Sequence, residues 1–464
     1  MGRSLNFRRL GLGVAANAYD KLVIAGIQLL LVPVLALHWG IEVYGTWVLL
    51  STIPSFLSAS DLGFASAAGT RMTMLASRGE TEEVVRVFQS AWVVVLASSA
   101  IVSIVALAAV WLLPAEFYPA STEFSLGEIR WTLSLLVVYG ILCLQGSIFV
   151  AGFRCAGLFA VGAFCVANTV LFENLSVVAL VVFGCGPVYA AVALLLSRCL
   201  ALVVQNVVLR AKVPWLRIGF SEARRAEVRD LWGPAIALLA FPIGQASYLQ
   251  GTALALGAAT SAAIVPLFTA TRTLSRVGLQ LAQLLTHATM PEFSAAVARK
   301  DDKARVAMVG MVLITAFLIV VPFSIVLSVF GPEIVAAWTR GVIRPPQDLA
   351  LVMAATVLLG GFWNPLASLI IATNRHASFA YPFLVFAVAT IPLSYVASLW
   401  LGVTGAGLSI LALDICMCVV TMRKGHTALF QVHELSQFFN GLKLKVGLKL
   451  NARRVKAGRH SNRM

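Results

Sequence analysis

Twelve stretches of about 20 or more mostly apolar residues follow one another along this chain. They lie near 18–38, 45–68, 87–113, 129–151, 157–183, 187–209, 232–256, 262–286, 306–330, 348–372, 378–400 and 403–422. Each is long enough for a helix to cross the ~30 Å hydrocarbon core of a bilayer. A helix also satisfies its own backbone hydrogen bonds, which lipid cannot do for it. Composition points the same way. Of 464 residues, 59% are hydrophobic and 12% charged, whereas soluble domains carry roughly 25% charged residues. A soluble enzyme, a disordered protein, a fibrous repeat and a nucleic-acid binder are excluded as the main identity.

Lysine and arginine show which way the loops face. Of the 35, 28 fall at the N-terminal end, in the loops near 70–86, 152–156, 210–231, 298–305 and 373–376, and in the tail. The alternate loops hold Arg130, Arg340 and Arg344. The positive-inside rule places both termini in the cytoplasm, and the basic start, MGRSLNFRRLGLG, reads as a retained cytoplasmic end. The formal net charge of +15 then reports orientation and contact with anionic lipid. No nucleic acid is expected as a partner.

A weak internal repeat runs at an offset of about 221 residues. ASRGE (76–80) falls opposite VARKD (297–301), and FRCAG (153–157) opposite NRHAS (374–378). Each half then holds six spans. An even number gives the halves the same orientation, related by a pseudo-two-fold axis along the membrane normal, as in transporters built from parallel repeats. The expected fold is an all-α polytopic membrane protein of about 12 transmembrane helices in two six-helix lobes. The expected domains are an N-terminal lobe (1–209), a cytoplasmic amphipathic linker (210–231), a C-terminal lobe (232–422) and a basic cytoplasmic tail (423–464). The tail carries ten Lys/Arg and a single acid, Glu434; anchoring on anionic headgroups explains it most simply.

A charge at mid-bilayer costs ~2.5–3.5 kcal/mol on insertion scales, so each one needs a reason. Arg272 and Arg276, in VPLFTATRTLSR, are four apart and share a helical face. Arg198 sits midway along the sixth span, and Arg71 near the inner end of the second. These four arginines are the candidates for a cationic, substrate-binding cavity. For Arg198 a structural salt bridge, with Asp414 at a nearly equivalent place in the other half, is the competing reading. The intramembrane acids Asp61, Glu173 and Asp414 are the candidates for ion coupling, by H+ or Na+. For Asp61 the plain alternative is a carboxylate bonded to nearby backbone and Arg71. No metal site or other cofactor is expected, because the six histidines are scattered and the seven cysteines lie in apolar runs. GLGVAA (11–16) satisfies a dinucleotide-binding pattern but no strand precedes it.

An ordered set of segments carries a family resemblance. It begins with NAYDKLVIAGIQLLLVPVLALHWGIEVYGTWVLL (17–50), whose G-x-x-x-Y-G-x-W turn follows the first span. SASDLGFASAAGTRMTMLASRGE (58–80) comes next, and YLQGTALALGAATSAAIVPLFTATRTLSR (248–276) opens the second half. The lobes end in Gly-containing turns, GCGP (184–187) and GVTGAG (402–407). In this order the chain resembles the multidrug, oligosaccharidyl-lipid and polysaccharide exporter superfamily, over roughly residues 10–422. Within it, the chain looks most like the bacterial O-antigen and exopolysaccharide flippases.

The resemblance implies a non-enzymatic flippase of the bacterial inner membrane. It would export an undecaprenyl-diphosphate-linked oligosaccharide by alternating access, with the lipid tail left in the bilayer. Implied partners are the lipid-linked glycan diphosphate, anionic lipids at the tail, and a glycan polymerase complex. Guanidinium forks suit the oxygens of a diphosphate. Twelve spans depart from the peptidoglycan-precursor flippases, which have two more. A cation-coupled drug exporter of the same fold, a membrane-embedded glycan polymerase or ligase, and a non-transporting scaffold stay open as alternatives.

Overall fold

The computed structural model describes residues 7–58, 63–118, 124–299, 301–372 and 376–428. Asp61, Arg375 and the tail beyond 428 lie outside them. Among the described residues the chain is helical, with no strand. In order come α1 (Phe7–Ser58), α2 (Phe64–Arg78), α3 (Thr81–Leu112), α4 (Leu126–Cys155), α5 (Phe159–Val182) and α6 (Pro187–Lys212). They are followed by α7 (Arg225–Ala246), α8 (Thr252–Ala259), α9 (Val265–Ala298), α10 (Asp302–Trp338), α11 (Gln347–Ala372), α12 (His376–Leu401) and α13 (Val403–Ala428).

Where the structure describes them, the twelve expected windows fall largely on these helices. Nine helices among the described residues are long and apolar enough to cross a membrane. The chain is a multi-pass membrane protein. Its outward faces confirm this: Leu112, Phe183 and Trp400 are 81%, 84% and 85% exposed, a placement that water would penalise and lipid does not.

Local chemistry sets the breaks. α1 holds the first window and most of the second, on either side of Gly40, whose φ of 71° and ψ of 172° interrupt the helix. That backbone is open to glycine and strained for other residues. Five residues on, a Cβ at Gly45 would sit 1.9 Å from the Ala262 carbonyl oxygen, so only glycine permits this close approach. The G-x-x-x-Y-G-x-W segment is therefore a kink followed by a contact point. Its last residue, Trp47, meets Trp39 edge to face at 5.3 Å, and the Trp39 indole donates to Cys185 O at 2.9 Å. The second window is not one helix: Gly63, at φ 68°, stands in the left-handed region just before α2 starts at Phe64. A glycine hardly lowers the hydropathy of an apolar window, so hydropathy alone does not reveal the break.

At the start of α4, Ser125 and Glu128 form a reciprocal capping box, satisfying two end groups at once. GCGP closes α5 through the Cys185 N–H to Leu180 O bond at 2.9 Å, and Pro187 opens α6 where no backbone donor is needed. Between α6 and α7, residues 213–224 run without regular helix and are tied to α3. Gln89 donates to Arg217 O at 3.2 Å and accepts from Glu222 N at 2.8 Å, while Ser90 Oγ accepts from Arg224 N at 2.9 Å.

Contacts divide the chain into two units. The first comprises Met1–Val277, Val326–Met353 and Phe383–Leu413. It has one core around Phe64, Met72, Phe88, Ile148 and Phe153. A second core gathers Val32, Tyr44, Trp47, Leu136, Ala270 and Val335. In that core, segments far apart in sequence meet; the Trp338 indole, for example, donates to Leu29 O at 2.8 Å. The second unit comprises Gly278–Ile325, Ala354–Pro382 and Asp414–Met464. Its core is built from Phe293, Val309, Val312, Leu366, Leu369 and Ile370.

Candidate functional site

α9 begins at Val265 and carries Arg272 and Arg276 one turn apart on a common face. Opposite it, α7 passes into α8 through a wide π-helical turn over Ser247–Gly251. Such turns loosen the i→i−4 ladder and are frequent at functional sites. The loosened carbonyl of Leu249 accepts a hydrogen bond from Arg272 Nη1, and the same nitrogen is 3.4 Å from Thr252 Oγ1. The guanidinium also lies 4.9 Å from the centre of the Phe268 ring, within cation–π range. Tyr44 and Tyr248 are within electrostatic reach of it, and Tyr44 is bonded to Thr269 one turn earlier on α9. Neither Arg272 nor Arg276 forms an ion pair with a described residue. Arg272 is thus charged, half-buried and held by neutral groups.

The other two arginines are engaged by acids. Arg198, on α6, has Nε 2.6 Å from Glu173 Oε1, a charge contact off the hydrogen-bonding axis. Its Nη2 donates to Glu173 Oε2 at 2.9 Å and to the Tyr139 hydroxyl at 3.2 Å. Tyr139 donates in turn to Glu173 Oε2 at 3.1 Å. The side chains of Arg198 and Glu173 are 13% and 2% exposed, so α4, α5 and α6 enclose a three-membered polar knot. Arg71, on α2, reaches the first turns of α7, with Nη2 2.9 Å from Glu227 Oε2 and Nη1 3.3 Å from Asp230 Oδ2.

Asp414 belongs to the second unit. Its Oδ1 accepts from the Trp363 indole N–H at 2.8 Å, the residue is 7% exposed, and no cation among the described residues pairs with it. Asp61 lies outside the described residues.

Several partners in this arrangement carry no mark in the sequence. Tyr139 and Trp363 look like ordinary aromatic members of apolar runs, and a backbone carbonyl such as that of Leu249 is invisible to any motif. Only the Arg272–Arg276 spacing is local enough to be read directly.

The sequence matches no family model and no curated protein. Solved structures do match the fold. An inward-facing multidrug resistance MATE family transporter of the MOP superfamily (multidrug, oligosaccharidyl-lipid and polysaccharide exporters) superposes with a TM-score of 0.69. The two share 14% identity, and the match covers 95% of this chain and 97% of that one. The lipid II flippase MurJ, inward closed, gives 0.68 at 11% identity over 95% and 92%. The chain has the MOP-superfamily fold. A further MOP transporter, from Pyrococcus furiosus, is described as having a binding pocket of reversed polarity that suggests a different function. It gives 0.54 at 14% identity over 90% and 93%.

Proposed function

We propose that this MOP-fold chain is a flippase for lipid-linked oligosaccharides, taking the undecaprenyl-diphosphate-linked repeat unit of an O-antigen or exopolysaccharide from the inner to the outer leaflet. One observation carries the reading. Two guanidinium groups share a face of α9, and Arg272 is held there by a carbonyl, a hydroxyl and an aromatic ring. A charge held only by neutral groups keeps its capacity for an anion, and a diphosphate offers the oxygens that a guanidinium fork matches. Exporters of cations need the opposite polarity at their binding face. The MurJ neighbour, a lipid II flippase, supports a lipid-linked substrate within this fold.

The same contacts support a reading of the remaining charges. Arg198 and Arg71 already have acids and act as structural ties, which leaves Arg272 and Arg276 to bind the headgroup. Glu173 has its own counter-cation and is poorly placed to exchange ions. Asp414, whose described partner is a neutral indole, is the better candidate for H+ or Na+ coupling, and Asp61, outside the described residues, is the other. The chain would sit in the bacterial inner membrane with both termini cytoplasmic. There the 423–464 tail would rest on anionic headgroups and a glycan polymerase complex would take the exported unit. The boundaries 1–209, 210–231 and 232–422 are proposed as the moving lobes and their linker.

The test is the double variant R272A/R276A. Surface polysaccharide should fall at least tenfold, while the amount of protein in the membrane stays within twofold of the parent. Undiminished glycan display would overturn the reading. Resistance to cationic dyes on expression, with glycan display untouched, would establish the drug exporter in its place.

A further inference from the structure

The 26 residues of α6 rise about 39 Å. That exceeds the ~30 Å of a bilayer's hydrocarbon core, so the last turn of this apolar span reaches headgroup depth. The helix stops after Lys212. Val213 leaves helical geometry at φ −136° and ψ 70°, and the ring of Pro214 disfavours the helical region for the residue before it. Val213 and Leu216 are then buried in the core around Phe88 and Phe153. Their neighbours face outward, with Trp215 and Phe220 exposed as interfacial anchors are.

A pocket of about 380 Å³ lies at this corner, lined by Arg210, Pro214, Arg217 and Ile218. Its walls are fixed. Gln89 holds Arg217 O and Glu222 N, pinning the connection to α3 on both sides of Gly219, where a Cβ would sit 2.9 Å from Gln89 Nε2. The Leu216 N–H donates to Val213 O at 3.0 Å. Arg217 Nε donates to Pro214 O at 3.0 Å, which orients the guanidinium and leaves its outer nitrogens for a ligand. Neither Arg210 nor Arg217 forms an ion pair with a described residue. Residues 210–220 contain three cations, Arg210, Lys212 and Arg217, and no acid. Two guanidinium forks around one pocket, with no carboxylate in its lining, suit the oxygens of a phosphate.

The adjoining helix face says which phosphate. Leu196, Leu200, Val203 and Val207 are exposed, and their spacing of four, three and four puts them on one side of α6. Arg210, three residues further on, is next in that row. Gln205, which donates to Thr169 of α5 at 3.3 Å, stands on the opposite side. A hydrocarbon chain lying along the row brings its headgroup to the pocket; a free anion makes no use of the row.

We propose that this pocket is a headgroup site for an anionic phospholipid. Arg210 and Arg217 hold the phosphodiester, Lys212 adds positive charge, and an acyl chain lies along the α6 row. The three cations repel the ammonium of phosphatidylethanolamine, so the site selects phosphatidylglycerol over it. This selection is independent of what the protein carries across the membrane.

The experiment uses the full-length protein in phosphatidylethanolamine vesicles with a small fraction of phosphatidylglycerol bearing a diazirine on its acyl chain. Photolabel on peptides covering 196–220 should exceed that on α3 peptides around the exposed Ile101, Ile104 and Val105 at least fivefold. The matching diazirine phosphatidylethanolamine should label both regions alike. Unlabelled phosphatidylglycerol should compete the excess away; inorganic phosphate, at an ionic strength matched with chloride, should not. R210A/R217A should abolish the excess in protein that stays monodisperse. R224A/R225A, which removes two exposed arginines from the same connection, should keep it within twofold. Equal labelling by the two lipids overturns the proposal and needs no variant, so misfolding of R210A/R217A would not shield it. Displacement by inorganic phosphate also overturns it, because the pocket then takes a free anion. So does an undiminished excess in R210A/R217A, or an equal loss in R224A/R225A, which would mean diffuse attraction to a basic segment.

Discussion

Two intramembrane arginines in the same chain have opposite surroundings. Arg198 is enclosed by α4, α5 and α6 with Glu173 and Tyr139 upon it. Arg272 is held by Leu249 O, Thr252 and the Phe268 ring, with no acid from the described residues. Insertion into lipid penalises both alike, so residue type alone does not separate them; the counter-charge does. A neutralised guanidinium is a strut. One held by dipoles can still exchange those dipoles for a stronger anionic partner.

The sharpest way to break this comparison is to remove the acid. E173A leaves Arg198 buried with only Tyr139, and an uncompensated buried charge of this kind costs about 3–5 kcal/mol. The variant should unfold far more readily in detergent, by denaturation monitored through tryptophan fluorescence, and accumulate poorly in membranes. Replacing both partners, as E173M/R198M, removes the charge and its penalty together and should restore most of that stability. A strongly destabilised double variant, or a harmless E173A, would mean that the knot is not a charge-compensated strut.

Arg272 should answer differently. R272A gives up charge-assisted hydrogen bonds worth about 1.5–3 kcal/mol and a ring contact worth about 1 kcal/mol. It leaves no unpaired buried charge behind, however, so unfolding should shift less than in E173A. Function should carry the loss: we expect glycan display to fall at least fivefold in the single variant. R272K keeps the charge without the planar fork and should fall between R272A and the parent. Equal activity of lysine and arginine would show that the charge is used without bidentate recognition.

How much of this was legible in the sequence follows from the range of each interaction. Hydropathy over 20 residues is a local property, and where the structure describes them the windows fall largely on helix, including the α9 window with its two arginines; the second is broken at Gly63. Gly40 and Gly45 were visible as a motif, although only the nearness of Ala262 explains why the second must be glycine. The break at Gly63 is hidden in the sequence because one glycine hardly dents an apolar window. The Glu173–Arg198 pair joins helices 25 residues apart in sequence, with Tyr139 another 34 away; no periodicity links three such positions. Equivalent places in the two halves suggested Asp414 as a partner for Arg198. The geometry gave Arg198 an acid on the neighbouring helix and gave Asp414 an indole.

Arg71 gives the smallest expected effect and the finest test of the comparison. Like Arg198 it has acidic partners, Glu227 and Asp230, but its side chain is 28% exposed, and although Glu227 is 15% exposed, Asp230 at 61% opens the cluster to water. Water near the pair screens both the attraction and the penalty of breaking it, and pairs of this kind contribute about 1 kcal/mol or less. R71A should therefore unfold close to the parent at moderate salt, with a difference that shrinks further at high salt as the Debye length shortens. E173A should show no comparable salt dependence, because its charge is walled off. If R71A proved as damaging as E173A, and equally indifferent to salt, possession of an acidic partner and not depth of burial would set the cost. The contrast would then be between paired and unpaired arginines wherever they lie, and the special standing of the α4–α6 knot would be gone.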